Sequence, residues 1–348
     1  MDEIREKNTM LVKRELEEML GIIKSLKENK DSSKLSLGIN CYLVLIVIEA
    51  LNYIENNLNI IIDYKFKSNL KSSRARIKPY DSSYKEMLEN ITKLNEEKYD
   101  YFSNLCDPIA KAMFPELIDN IGITLYKGKI IDNTFLDEID NKKIITTSGN
   151  YDSSKTFEVS KELGSLIIKI LNQIEGKEQK VNLNINEKIF NKDYNVYYQQ
   201  NDLFQCNLEV NCSLLLLNVL CSLNYYKYLI RGFNVSNSLK YRIAYIVFSR
   251  TFNNLNEIAK INKLHSILSV LKKYDYLNNR KFRNKMFHYD IYNEISTQEF
   301  NKNEMYLGLI NKFFKISEED YIKDVDNYID NLSDNIEQVI FWLKIIMR

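Results

Sequence analysis

Asn278-Asn279-Arg280-Lys281-Phe282-Arg283-Asn284-Lys285-Met286-Phe287-His288-Tyr289-Asp290 holds one of the chain's two histidines, preceded by four basic side chains, and has no glycine or proline. The stretch predicts a helix from about Asp275 to Tyr292. At about 100° per residue, Asn284 and His288 share one helix face, and Arg283 lies roughly 140° from His288 and flanks it. Arg283 is a permanent cation whose planar fork suits phosphate oxygens. His288 is the side-chain type that takes or gives a proton near neutrality. Asn284 is placed to hydrogen-bond the imidazole and set its tautomer. Together these side chains could act on a phosphodiester.

The flanking residues add charge. Lys272, Lys273, Arg280, Lys281, Arg283 and Lys285 stand against Asp275 alone, a local net charge of +5. The whole chain carries 48 basic and 47 acidic residues, so no global field draws it to nucleic acid or membrane and any such site must be local. Lys272, Lys273, Arg280, Lys281 and Lys285 are therefore candidate RNA contacts. Tyr274, Tyr276, Phe282 and Phe287 could stack bases, although core filling is the commoner role at helical spacing. His265 has no partner pattern and reads as structural.

Elsewhere the chain is mostly helical, with nine glycines and three prolines in 348 residues. Residues 1–30 show apolar steps of three and four from Val12 to Leu26. A second helix, about Leu37 to Tyr64, is apolar on nearly every face and should be central to a bundle. Glu49 sits inside its apolar run, either as a buried acid or, more commonly, as a carboxylate at the stripe's edge or in a pair. Lys65, Lys67, Lys71, Arg74, Arg76 and Lys78 form a basic linker or a phosphate contact. Helical periodicity resumes over 83–104.

The middle, 116–200, reads as mixed. Ile121–Ile131 suggests a strand pair, Lys143–Thr147 and Val181–Ile185 add candidate strands, and Ser160–Gln173 a helix. Gly122 with Gly128-Lys129 is not a phosphate loop: the spacing is wrong, and Ile130 stands where Ser or Thr is needed. From Asp202 on, helices are expected over Leu203–Arg231, from a Ser236 or Ser238 cap to Lys260, over Ile261–Lys273, and after a Ser317/Asp320 capping pair. The expected architecture is mainly α: a helical region 1–115, a mixed middle region or insertion 116–200, and a helical domain 201–348.

The five cysteines lack C-x-x-C spacing and read as reduced thiols, and no signal-peptide pattern is seen. The apolar run from Cys41 to Ile48 is too short to span a bilayer. A soluble, cytoplasmic protein without a cofactor is expected. No zinc spacing, G-x-S-x-G, H-E-x-x-H or dinucleotide fingerprint occurs, so no metal is expected; unpatterned carboxylates leave a metal-dependent nuclease open.

Arg283-Asn284-x-x-x-His288 resembles the R-N-x-x-x-H signature of HEPN domains, helical bundles of toxin–antitoxin, abortive-infection and CRISPR-associated proteins. The resemblance covers about the last 145 residues. It implies a four- to five-helix bundle and a metal-independent endoribonuclease active in phage defence or as a toxin. It also implies a homodimer whose two motif helices face each other in one composite site, since one motif supplies one histidine. Asn284, with Arg283 and His288, would belong to that site. A plain alternative holds His288 at a helix surface through Asp290 or a backbone carbonyl. Two further readings stay open: a non-catalytic module binding RNA, a nucleotide or a partner protein, and a regulatory subunit whose middle region holds an antitoxin or controlling protein.

Overall fold

The computed structural model describes residues 2–64, 84–115, 118–136, 156–196, 203–204, 208–289, 291, 294–296, 299, 306 and 308–340. The basic run Lys65–Lys78, the candidate strand Lys143–Thr147 and Asp290 lie outside these residues.

The protein is mainly α, with a small mixed region. In chain order the helices are α1 (Asp2–Glu28), α2 (Ser32–Asn57), α3 (Tyr84–Leu105), α4 (Pro108–Met113) and α5 (Thr156–Gln173). They continue with α6 (Val210–Tyr228), α7 (Asn237–Ile261), α8 (His265–Lys273), α9 (Arg280–His288), α10 (Leu309–Phe314) and α11 (Glu318–Ile340). Strands β1 (Ile121–Tyr126), β2 (Lys129–Asn133) and β3 (Phe190–Tyr194) form one antiparallel sheet in the order β2-β1-β3.

The core is continuous across the whole chain. Buried apolar side chains from residues 1–115, 116–200 and 201–348 join in one cluster. Its centre is α6, where every residue from Cys212 to Tyr226 is buried. A helix buried on all faces must satisfy its polar side chains internally. Asn218 meets this only at its Oδ1, which accepts from Asn133 Nδ2 at 2.9 Å, while its buried Nδ2 has no partner among the described residues. Asn224 donates to the Ile130 carbonyl at 2.9 Å and accepts from Ser333 at 2.6 Å. These bonds tie α6 to β2 on one side and α11 on the other.

α2 is the second central helix. Its segment Gly38–Asn57 is long and apolar enough to cross a membrane, yet 89% of that window is buried inside the fold, so its apolar faces are already occupied. α1 and α5 pack against it, and α9 lies on it as well.

The β1–β2 hairpin turns at Lys127 (φ 52°) and Gly128 (φ 68°). Two successive positive φ values in a two-residue loop match the twist of the flanking strands. That turn is the role of Gly128. The third strand is Phe190–Tyr194, not the expected Val181–Ile185. Val181 and Leu183 do alternate buried with exposed neighbours. Their backbone bonds go elsewhere: the Val181 carbonyl to Ser25 and the Asn182 carbonyl to the Asn234 N–H.

Several other boundaries move. α2 starts at Ser32, because Asn29–Asp31 already turns the chain. α6 begins at Val210 rather than Leu203. Ser236 caps α7, accepting from the Leu239 N–H, and Ser317 accepts from the Asp320 N–H at 3.1 Å ahead of α11.

Candidate functional site

The motif helix is shorter than its composition suggests. Asn279 caps it, its side chain accepting from the Lys281 and Phe282 N–H groups at 3.0 Å each. A separate 3-10 turn covers Asp275–Leu277. His288 is the last helical residue, because Tyr289 adopts the left-handed conformation at φ 53°. A non-glycine residue pays for that conformation with roughly 1–2 kcal/mol, so its surroundings must fix it.

They do so from two elements, α1 and α7. The Tyr289 hydroxyl donates to Glu15 on α1, and Asn8 of α1 donates to the Tyr289 carbonyl at 2.6 Å. Arg242 of α7 donates to the Met286 carbonyl, and its guanidinium lies 3.9 Å from the centre of the Tyr289 ring. A cation among the last carbonyls of α9 also complements the helix dipole. Burial, foremost, pushes the Tyr289 phenol well above its ordinary value, and the Arg242 cation pulls it back.

This clamp sets His288 against α2. Its Nδ1 lies 2.7 Å from Glu49 Oε2. The Glu49 side chain is 6% exposed and that of His288 37%. Glu49 is therefore both buried and paired. The effective cost of burying an isolated carboxylate is several kcal/mol, so a donor opposite it is required. Asn284, expected to bond the imidazole, is exposed and does not reach it, since the C-terminal end of the helix is turned onto Glu49. A pair between positions 49 and 288 leaves no spacing to read, and the only hint was an acid inside an apolar run.

Arg283 is half-buried, and its charge lies near the Tyr245 hydroxyl. Burial pushes that hydroxyl well up, and Arg283 opposes the shift. Arg280, Lys281, Lys272 and Lys273 are exposed. Lys285 is half-buried and forms an ion pair with Glu294 at 3.1 Å. The candidate stacking residues divide. Phe282 is buried among Tyr245, Phe313, Phe314 and Tyr321, and Tyr274 is buried too. Tyr276 is exposed, its hydroxyl bonded to Asp324, and Phe287 is half-buried. His265 is exposed at the first turn of α8.

The helix thus carries a half-exposed imidazole with one ring nitrogen engaged by a carboxylate. It also carries an arginine and, at its start, two exposed cations. No family model, curated protein or solved structure matches the chain.

Proposed function

We propose that the protein is a metal-independent endoribonuclease of HEPN type, with His288 as its acid–base group and Arg283 as its phosphate ligand. The observation that carries this reading is the exposure of His288 at the end of a cationic helix, with Nδ1 occupied and Nε2 unengaged among the described residues and so left for proton transfer.

In the proposed reaction, His288 Nε2 takes the proton of a ribose 2′-OH as that oxygen bonds to the adjacent phosphorus. Arg283 stabilises the charge that builds on the equatorial phosphate oxygens. The bond from phosphorus to the 5′-oxygen breaks, and the leaving oxygen takes a proton from a second acid. In a symmetric homodimer that acid is His288 of the partner subunit. The products are a 2′,3′-cyclic phosphate and a 5′-hydroxyl. Arg280, Lys281, Lys272 and Lys273 draw in the RNA backbone, with a smaller share from the already paired Lys285. A role in phage defence or as a toxin, and control by an antitoxin, follow from the family resemblance alone.

The test is cleavage of RNA by the purified chain in EDTA, beside His288→Ala and Arg283→Ala. Cyclic-phosphate ends that disappear in both variants support the reading. Cleavage that survives both rejects it. RNA binding without cleavage by the wild type favours the non-catalytic module.

A further inference from the structure

We infer that Glu49 is a positioning residue for His288, holding the neutral imidazole with its proton on Nδ1 and leaving the lone pair on Nε2. An ionised carboxylate only accepts hydrogen bonds. A separation of 2.7 Å between Nδ1 and Oε2 is that of a charge-assisted N–H···O bond. A neutral imidazole meeting such a carboxylate must present its N–H at Nδ1. Free imidazole side chains favour the opposite form, with the proton on Nε2, so the inferred tautomer is one the protein has to impose.

The surrounding packing keeps the contact in place. Glu49 projects from the apolar run of α2, where Ile46, Ala50 and Tyr53 are buried around it. Asn8 and Arg242 hold the Tyr289 and Met286 carbonyls, so the end of α9 is fixed from α1 and α7. The imidazole is therefore aimed by α1 and α2 together with α7, and its carboxylate partner lies 239 residues before it in sequence. The opposite assignment is a protonated Glu49 donating to a bare Nδ1, which would leave the proton on Nε2.

The catalytic consequence rests on the ribonuclease reading, whereas the tautomer does not. The test is two-bond 15N–1H NMR of the uniformly labelled full chain. It contains only two histidines, so His265→Gln assigns both rings. The expected wild-type spectrum shows neutral His288 protonated at Nδ1, and Glu49→Met, which removes the acceptor, shifts it to the Nε2–H form. Neutral His288 protonated at Nε2 in the wild type overturns the inference even where Glu49→Met fails to fold. An unchanged Nδ1–H form in a folded Glu49→Met also overturns it. If RNA cleavage is lost in His288→Ala but the wild-type tautomer is Nε2–H, the ribonuclease stands and the role of Glu49 falls. If the tautomer is Nδ1–H and no RNA is cleaved, the reverse holds. In an active enzyme, Glu49→Met should lower kcat, with KM little changed, by a factor within the roughly 10²–10⁴ that a positioned base contributes.

Discussion

Arg242 on α7 donates its Nε–H to Glu15 on α1 across 2.7 Å, and both side chains are almost completely buried. The pair carries the load of the motif helix terminus, since Arg242 also reaches the Met286 carbonyl and Glu15 accepts from Tyr289. Removing one partner of a buried pair leaves an uncompensated charge, at a cost of roughly 3–5 kcal/mol. We expect Arg242→Met to lower the unfolding free energy by about that much. Adding Glu15→Met to it should recover more than half, because two apolar side chains replace a pair at little net cost. Guanidinium unfolding of both variants checks this; a double variant as unstable as the single one would show that neighbours such as Tyr289 dominate.

Glu18 gives the fold a defined pH response. Burial, its largest influence, pushes its carboxyl above the ordinary 4.5, against hydrogen bonds from the Ser236 hydroxyl and N–H. A raised folded-state value means that the folded chain holds this proton more tightly than the unfolded chain. The stabilisation is complete below the unfolded value and is lost as pH rises through the higher folded value. Glu18→Gln cannot titrate. We therefore expect its stability relative to wild type to increase as pH rises from the ordinary value of 4.5 through the higher folded-state value. Urea unfolding at constant ionic strength reads the difference, and a flat or falling difference would refute it.

Features set by local pattern were legible in the sequence, whereas those set by contacts between distant segments were not. α11 was legible because its apolar residues recur at helical spacing and Ser317 with Asp320 marks its start. The cap of α7 was legible as Ser236 or Ser238 for the same local reason, and the fold selects Ser236. The end of the motif helix was not, because Tyr289 leaves helical geometry through contacts with Asn8, Glu15 and Arg242, all distant in sequence. Strand β3 was missed because four of its five residues are exposed, so Phe190–Tyr194 carries no apolar alternation. Glu49 stood out as an acid in an apolar run, but its partner could be found only in three dimensions.

Gly38 of α2 lies directly against the Tyr225 ring of α6. A Cβ there would stand 2.1 Å from Tyr225 Cδ2, inside any real contact. The Tyr225 ring cannot easily retreat, since it is fully buried and its hydroxyl bonds the Leu35 carbonyl. Overpacking of this kind costs typically 1–3 kcal/mol. The better helix propensity of alanine returns about 1 kcal/mol at most. We expect the steric cost to win in Gly38→Ala, with a lower thermal midpoint. An unchanged or higher midpoint would mean that the two helices separate without penalty.

The cations of α9 differ in what they have to give RNA. Arg280 and Lys281 are exposed at its first turn, whereas Lys285 is held by Glu294 at 3.1 Å. An exposed cation that meets a phosphate releases a counterion, and each such contact on a single strand adds about 0.7 to the steepness of log K against log salt. We expect Arg280→Ala and Lys281→Ala each to flatten that slope by about 0.7 and to weaken binding across sequences alike. Lys285→Ala should flatten it less, because Glu294 already screens that charge and must be displaced first. Fluorescence anisotropy with a labelled single-stranded RNA, repeated over a salt series, gives all three slopes. His288→Ala serves as the background there, so that cleavage does not distort the binding curves. Slopes unchanged in Arg280→Ala and Lys281→Ala would place the RNA path away from the start of α9, and a larger loss in Lys285→Ala would mean that the Glu294 pair opens on binding.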